Sequence, residues 1–164
     1  MYTYRLGPVK FEQFEGTLRT NCEKGCFTGH KKLNSMSIQI GQSAPDFTLF
    51  SSDKKEVTLS DYRGQNVVLL FFPLAFTGVC TAELCAMRDD IATYSNLNAQ
   101  ILAISIDTPQ TLAKFREEQH FNFPLLSDFN KSAATSYDCL YETFVMGMKG
   151  VAKRSAFVVD KEGV

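Results

Sequence analysis

At 164 residues, with 45% hydrophobic and 21% charged residues, the chain has the length and composition of one globular domain with room for a tail, which excludes a disordered or fibrous polypeptide. A formal net charge of -1 leaves no basic footprint, so neither nucleic acid nor an anionic membrane surface is expected as a partner. The longest apolar run, Val67 to Phe72 extending towards Phe76, is far short of the roughly 20 residues that span a bilayer, and no membrane segment is expected. Five cysteines, Cys22, Cys26, Cys80, Cys85 and Cys139, are an odd number, which argues against a fully paired extracellular framework and for a reducing, cytoplasmic location. The N-terminus carries Glu12, Glu15 and Glu23 and lacks the apolar core of a secretory signal.

Residues 1–35 show neither helical nor strand periodicity and read as a loosely ordered extension. Met36 opens a stretch that has the form of an N-terminus in its own right, and residues 36–164 read as the main domain. Within it, a strand over Asp46–Phe50, the polar turn Ser51–Lys55 and a short strand over Val57–Leu59 make a hairpin. Asn66 to Phe72 is a continuously apolar, β-branched run, as expected for a central parallel strand buried on both faces. Pro73 ends it. Leu84, Met87, Ile91 and Tyr94 then recur at 3–4 spacing, one apolar stripe of a helix beginning near Cys80. Gln100–Asp107 reads as another buried strand, and Thr108-Pro109 supplies an N-cap and a first-turn proline for a helix to about His120. Phe123–Ser127 is a shorter strand, Asn130–Tyr137 a short helix and Ser155–Asp160 a last strand running into the turn Asp160–Gly163. A partner strand should follow that turn, so the domain is expected to continue past Val164. Strands alternating with helices predict a layered α/β fold with parallel connections of the usual hand.

The segment richest in chemistry lies between the central strand and the next helix. A cysteine in the first turn of a helix sits beside unpaired backbone N–H groups and the positive end of the macrodipole, and both favour thiolate over thiol, so Cys80 is expected to be activated. Thr77, three residues earlier, is expected to offer its hydroxyl to the sulfur, while Pro73 removes one N–H and stiffens the loop wall. Taken singly, each has an ordinary reading: a buried cysteine, a helix-capping threonine, a strand-ending proline.

Together, in a strand–loop–helix context, Pro73-x-x-x-Thr77-x-x-Cys80 resembles the active-site signature of peroxiredoxins. The resemblance runs from about Met36 to Val164 through Ala44-Pro-Asp-Phe47, the Asn66–Phe72 strand, Ile104-Ser-Ile-Asp107, Phe123-Pro-Leu-Leu-Ser-Asp128 and Arg154-Ser-Ala-Phe-Val-Val-Asp160. It implies a thioredoxin-like fold, a central mixed sheet flanked by helices, with an added N-terminal hairpin. It also implies a thiol-dependent peroxidase acting on hydrogen peroxide and organic hydroperoxides, reduced by thioredoxin or another thiol, and built as a monomer or homodimer. Cys80 would be the attacking thiolate, Pro73 would shape the pocket, and Arg154, just before the last strand, would reach thiolate and peroxide together with Thr77 and backbone N–H groups. The Cys80-Thr-Ala-Glu-Leu-Cys85 spacing resembles the resolving cysteine of the Q-type, or bacterioferritin-comigratory, subgroup; a structural cysteine bordering the apolar stripe is the alternative, and Cys139 is a weaker candidate for resolution. Glu83, in the helix's first turn, suits the dipole and in the Q-type pattern also borders the active site.

Cys22-x3-Cys26-x3-His30 has metal-like spacing, but three ligands do not complete a tetrahedral site and His120 is the only other histidine, so no metal is expected. There is no phosphate-cradling glycine loop, no His-Glu-x-x-His and no serine nucleophile elbow, and no cofactor is implied. The rival enzyme on such a fold is a thioredoxin-like dithiol–disulfide oxidoreductase, which carries Cys-x-x-Cys at the helix start; here the fourth position is Glu83. A non-catalytic holdase is a second rival, against which the intact Pro73, Thr77, Cys80 and Arg154 set stands.

Overall fold

The structure, a computed structural model, describes residues 38–96 and 98–164; Cys22, Cys26 and His30, with the rest of the leading extension, lie outside the described residues. Its centre is the apolar run picked out by hydropathy, which forms strand β3 (Asn66–Phe71). The other strands are β1 (Thr48–Ser51), β2 (Glu56–Thr58), β4 (Ala99–Ser105), β5 (Leu125–Ser127) and β6 (Ser155–Val159). They assemble in the order β2-β1-β5-β4-β3-β6. Strands β3, β4 and β5 are mutually parallel, whereas β1 runs antiparallel to β2 and β5, and β6 antiparallel to β3. The sheet is therefore mixed, with the expected hairpin at one side.

Because side chains alternate across a strand, a continuously apolar strand feeds two cores. Val67, Leu69 and Phe71 join Leu102, Ile104 and Leu126 on one face, packed with Tyr137 and Cys139. Val68 joins Ile101, Ala103 and Leu125 on the other, packed with Cys80, Leu84, Leu112 and Phe115. Each fully buried side chain of this size stabilises the fold by about 1.5–3 kcal/mol relative to exposure.

Among the described residues, four helices accompany the sheet: α1 (Gly78–Asp89), α2 (Ile91–Asn96), α3 (Pro109–Gln119) and α4 (Ser132–Ser136). Thr108 caps α3, its hydroxyl accepting the Thr111 N–H at 3.2 Å, and the helix ends at His120 in the left-handed region (φ 54°). The single helix expected along the Leu84–Tyr94 stripe is instead two. Asp90 leaves helical geometry (φ -100°, ψ 16°), and its carboxylate accepts the Thr93 hydroxyl at 2.6 Å, a local bond that competes with helix continuation. The stripe still serves one purpose, since Met87, Ile91 and Tyr94 all pack on the Cys80 side of the sheet. Helix α4 starts later than Asn130 because Lys131 has φ 62°, and buried Asp128 caps it, accepting the N–H groups of Ala133 and Ala134 at 3.2 and 2.7 Å. Short 3-10 turns at Leu59–Tyr62 and Val145–Gly147, and a bridge between Leu140 and Ala152, carry no signal in hydropathy period. Among the described residues, no helix is long and apolar enough to cross a membrane.

Candidate active site

Strand β3 gives way to α1 through the segment 72–77, at the carboxyl end of the parallel strands, where open α/β sheets bind ligands. The Phe72 N–H still reaches the Ile104 carbonyl at 2.9 Å; buried Pro73, having no N–H, ends the ladder. The loop is pinned from β4: the Ala75 N–H donates to Asp107 Oδ2 at 2.8 Å, the Ser105 hydroxyl donates to the same oxygen at 2.8 Å, and the Ser127 hydroxyl donates to the Asp107 carbonyl at 2.6 Å. The sequence places Asp107 at the end of the Gln100–Asp107 strand and within the resemblance but gives it no role; a carboxylate at the end of a buried strand is the signal that points to it. Phe76 turns the chain with φ 60°, and its ring packs on Phe115 at 4.9 Å.

Thr77 follows in extended conformation as the N-cap, and its carbonyl accepts both the N–H and the hydroxyl of Thr81 at 2.9 Å each. Its own hydroxyl does not donate to sulfur as expected. It donates to the Leu74 carbonyl at 3.0 Å, and because a hydroxyl has a single hydrogen, that bond holds the loop instead.

Cys80 is the third residue of α1, within the turn whose N–H groups have no intrahelical partner, and only 1% of it is exposed. Arg154 meets it from across the sheet. The antiparallel pairing of β6 with β3 sets Ser155 opposite Phe71, so the residue just before β6 arrives where β3 ends and α1 begins. There the Arg154 Nη2 donates to Cys80 Sγ at 3.1 Å, while Nη1 pairs with Glu83 Oε2. Glu83 is three residues after Cys80 on the helix, hence on the same face, and it orients the guanidinium from behind. Burial by itself would lower the Arg154 pKa; the hydrogen bond to Cys80 and the Glu83 charge outweigh it and raise the pKa, so the guanidinium stays charged. The Arg154 and Glu83 side chains keep 29% and 23% of their surface, and exposed Phe76 and Val79 flank the start of α1.

The remaining cysteines stand apart. Cys85 is half-buried against the same core, its thiol directed at Gln119 Oε1, 3.7 Å away on α3. Residues five apart in a helix differ by about 7.5 Å in rise and about 140° around the axis, beyond the roughly 7 Å between Cα atoms that a disulfide spans. Cys139 lies on the opposite face of the sheet, buried with Tyr137, and burial first, then the Asp128 charge, pushes its thiol up to about 12. Cys80, Cys85 and Cys139 are all free thiols. Among the described residues no group of three or more His, Cys, Asp or Glu side chains is arranged to hold a metal ion. What the site assembles is a sulfur at a helix start, a charged guanidinium on it and a carboxylate fixing that guanidinium, an arrangement chemically able to serve as a nucleophile with charge stabilisation beside it.

Comparison with known proteins agrees with that chemistry. The model of the AhpC/TSA family matches residues 40–164. Alkyl hydroperoxide reductase E of Mycobacterium tuberculosis is 44% identical over 128 residues, covering 77% of this chain and 82% of that protein. Peroxiredoxin Bcp of Bacillus subtilis is 38% identical over 130 residues, covering 78% and 82%. The crystal structure of peroxidoxin BcpB from Mycobacterium tuberculosis superposes with a TM-score of 0.68 at 32% identity, covering 75% of this chain and 79% of that one. The chain belongs to the AhpC/TSA family and is a peroxiredoxin, a thiol-dependent peroxidase with the thioredoxin-like fold.

Proposed function

We propose that this peroxidase reduces hydrogen peroxide and organic hydroperoxides by direct attack of Cys80 on one peroxide oxygen. The observation that carries the reading is the Arg154 guanidinium, 3.1 Å from Cys80 Sγ and paired behind with Glu83. As the S–O bond forms and the O–O bond breaks, negative charge passes from sulfur to the leaving oxygen. Arg154 and the N–H groups at the start of α1 are poised to stabilise it. The leaving oxygen takes a proton and departs as water or an alcohol, and Cys80 becomes a sulfenic acid. Pro73 and Thr77 shape the pocket, Thr77 by holding the loop through Leu74.

Cys85 is the proposed resolving residue. Its thiolate attacks the sulfenic sulfur, a disulfide forms, and hydroxide leaves to become water. The free thiol of Cys85, on the same side of the sheet as Cys80, supports this over Cys139, which the sheet separates from Cys80. Thioredoxin or another dithiol then returns both cysteines to thiols. The protein is proposed to act in the cytoplasm as a monomer or homodimer, with residues 1–35 an extension outside the peroxidase domain; the family match beginning at residue 40 supports that boundary.

Intact mass after one equivalent of hydrogen peroxide, read on the parent, Cys80→Ser and Cys85→Ser proteins, tests the scheme. The parent should lose two hydrogens, Cys85→Ser should gain one oxygen, and Cys80→Ser should not react. Consumption of peroxide by Cys80→Ser at the parent rate would refute it.

A further inference from the structure

The second half of α1 is tied to the end of α3 by contacts that peroxide attack does not use. Arg88 lies three residues past Cys85, and its Nη1 donates to the Gln119 carbonyl at 2.5 Å. Gln119 is the last residue of α3, so its carbonyl is one of those the helix leaves unpaired, and the guanidinium sits at the negative end of that helix's dipole. Asp89 holds the rest of the guanidinium, accepting from Nε at 2.8 Å. In return, the Arg88 carbonyl accepts from Asn122 Nδ2 at 3.3 Å, and the Cys85 thiol faces the Gln119 side chain. Three contacts thus join the Cys85–Arg88 stretch to α3 and the segment after it.

The first half of α1 has much less holding it. Between Gly78 and Glu83 only Cys80 is buried, and Val79 is 69% exposed. Among the described residues, its side-chain hydrogen bonds and ion pairs beyond the N-cap are those of Cys80 and Glu83 with Arg154, and its only buried core contact is Cys80. Forming a Cys80–Cys85 disulfide requires residues between the two sulfurs to leave helical geometry, and the clasp decides which sulfur travels. An unwound chain advances up to about 3.3 Å per residue, ample to carry Cys80 round to Cys85.

We propose that Arg88 is a positioning residue for disulfide formation: by anchoring its stretch of α1 to the α3 terminus, it stops the unwinding short of Cys85 and holds that thiol still for the arriving Cys80 sulfenic acid. This rests on Cys85 being the resolving cysteine. Without the anchor α1 frays from both ends, and the effective concentration of Cys85 at the sulfenic sulfur falls.

The test uses the full chain and quenched-flow mass analysis after one equivalent of hydrogen peroxide, following sulfenic acid and disulfide separately. Arg88→Met keeps the stem and the helix propensity but has no donor; Arg88→Lys keeps a cation that can reach the Gln119 carbonyl. In Arg88→Met sulfenic acid should appear at the parent rate while disulfide forms about fivefold to tenfold more slowly, the effect of losing one partly exposed hydrogen bond of ordinary strength. Arg88→Lys should recover most of that loss, and excess peroxide should convert more Cys80 to sulfinic acid in Arg88→Met than in the parent. Disulfide formation in Arg88→Met at or above the parent rate overturns the proposal, as does an equal slowing of both steps. If the parent itself forms no Cys80–Cys85 disulfide, the assignment of Cys85 has failed and this inference with it; failure of the inference alone leaves that disulfide in the parent and absent from Cys85→Ser.

Discussion

Replacing Arg154 with methionine removes a charged donor that lies 3.1 Å from Cys80 Sγ while keeping an unbranched side chain of related length. In the proposed mechanism the guanidinium acts where charge moves from sulfur to the breaking O–O bond, and loss of one such preorganised donor costs about 10²–10³ in rate, or about 2.7–4 kcal/mol of barrier. The substitution also leaves Glu83 without its partner. Since that carboxylate keeps 23% of its surface it can recruit water, and the fold should lose only about 1 kcal/mol. Single-turnover peroxide consumption measures the first effect and thermal unfolding the second, so a slow enzyme can be told from a damaged one. Glu83→Gln separates positioning from charge: the amide oxygen still accepts from Arg154, so attack should slow by about tenfold at most. Arg154→Lys should recover only part of the rate, because a single ammonium lacks the fork that reaches sulfur and carboxylate together. If Arg154→Met attacks within about threefold of the parent, far inside the expected range, the role assigned to Arg154 is wrong.

Gly78 opens α1 where an added methyl group would meet nothing within 4 Å, so Gly78→Ala should stiffen the first turn by about 0.4–1 kcal/mol and slow disulfide formation about twofold to fivefold, with peroxide attack unchanged. An unchanged disulfide rate in quenched-flow would remove unwinding of that turn from the scheme. Amide hydrogen exchange should lose protection across residues 79–84 on oxidation and keep it at 86–89, where α1 is clasped to α3; uniform loss along α1 would contradict that asymmetry. Stability should fall as pH rises from about 9 towards 12. The Cys139 thiol stays protonated to about 12 in the fold against 9.0 when released, and burial raises Tyr137 beside it as well, so over that window the unfolded chain has lost protons the native state retains. Below that window this contribution is fully present, and denaturant midpoints between pH 8 and 11 that show no decline, or Cys139→Ala declining equally, would refute the attribution.

Much of this protein is written locally. Strand β3 is legible because Val67–Phe72 is a run of six consecutive apolar positions with few other fates, α3 because Thr108-Pro109 is a start signal in itself, and the Pro73, Thr77, Cys80 spacing because loop and helix start are contiguous in the chain. The periodicity of Leu84 to Tyr94 correctly marked one buried face but not the break at Asp90, since a side-chain bond to Thr93 competes with a helix without disturbing the spacing of apolar residues. Tertiary structure decided the rest, because it concerns partners far apart in sequence. Glu83 and Arg154 are 71 residues apart, and only the antiparallel register of β6 on β3 brings them to the same sulfur. Thr77 turns its hydroxyl to Leu74 and not to Cys80 because the turn around Phe76 presents that carbonyl. Cys139 is as apolar a neighbour in sequence as Cys85, yet the segment through α4 that follows β5 packs on the opposite face of the sheet and carries it into the other core. A strand has two faces, and composition alone does not say which one a distant loop will cover.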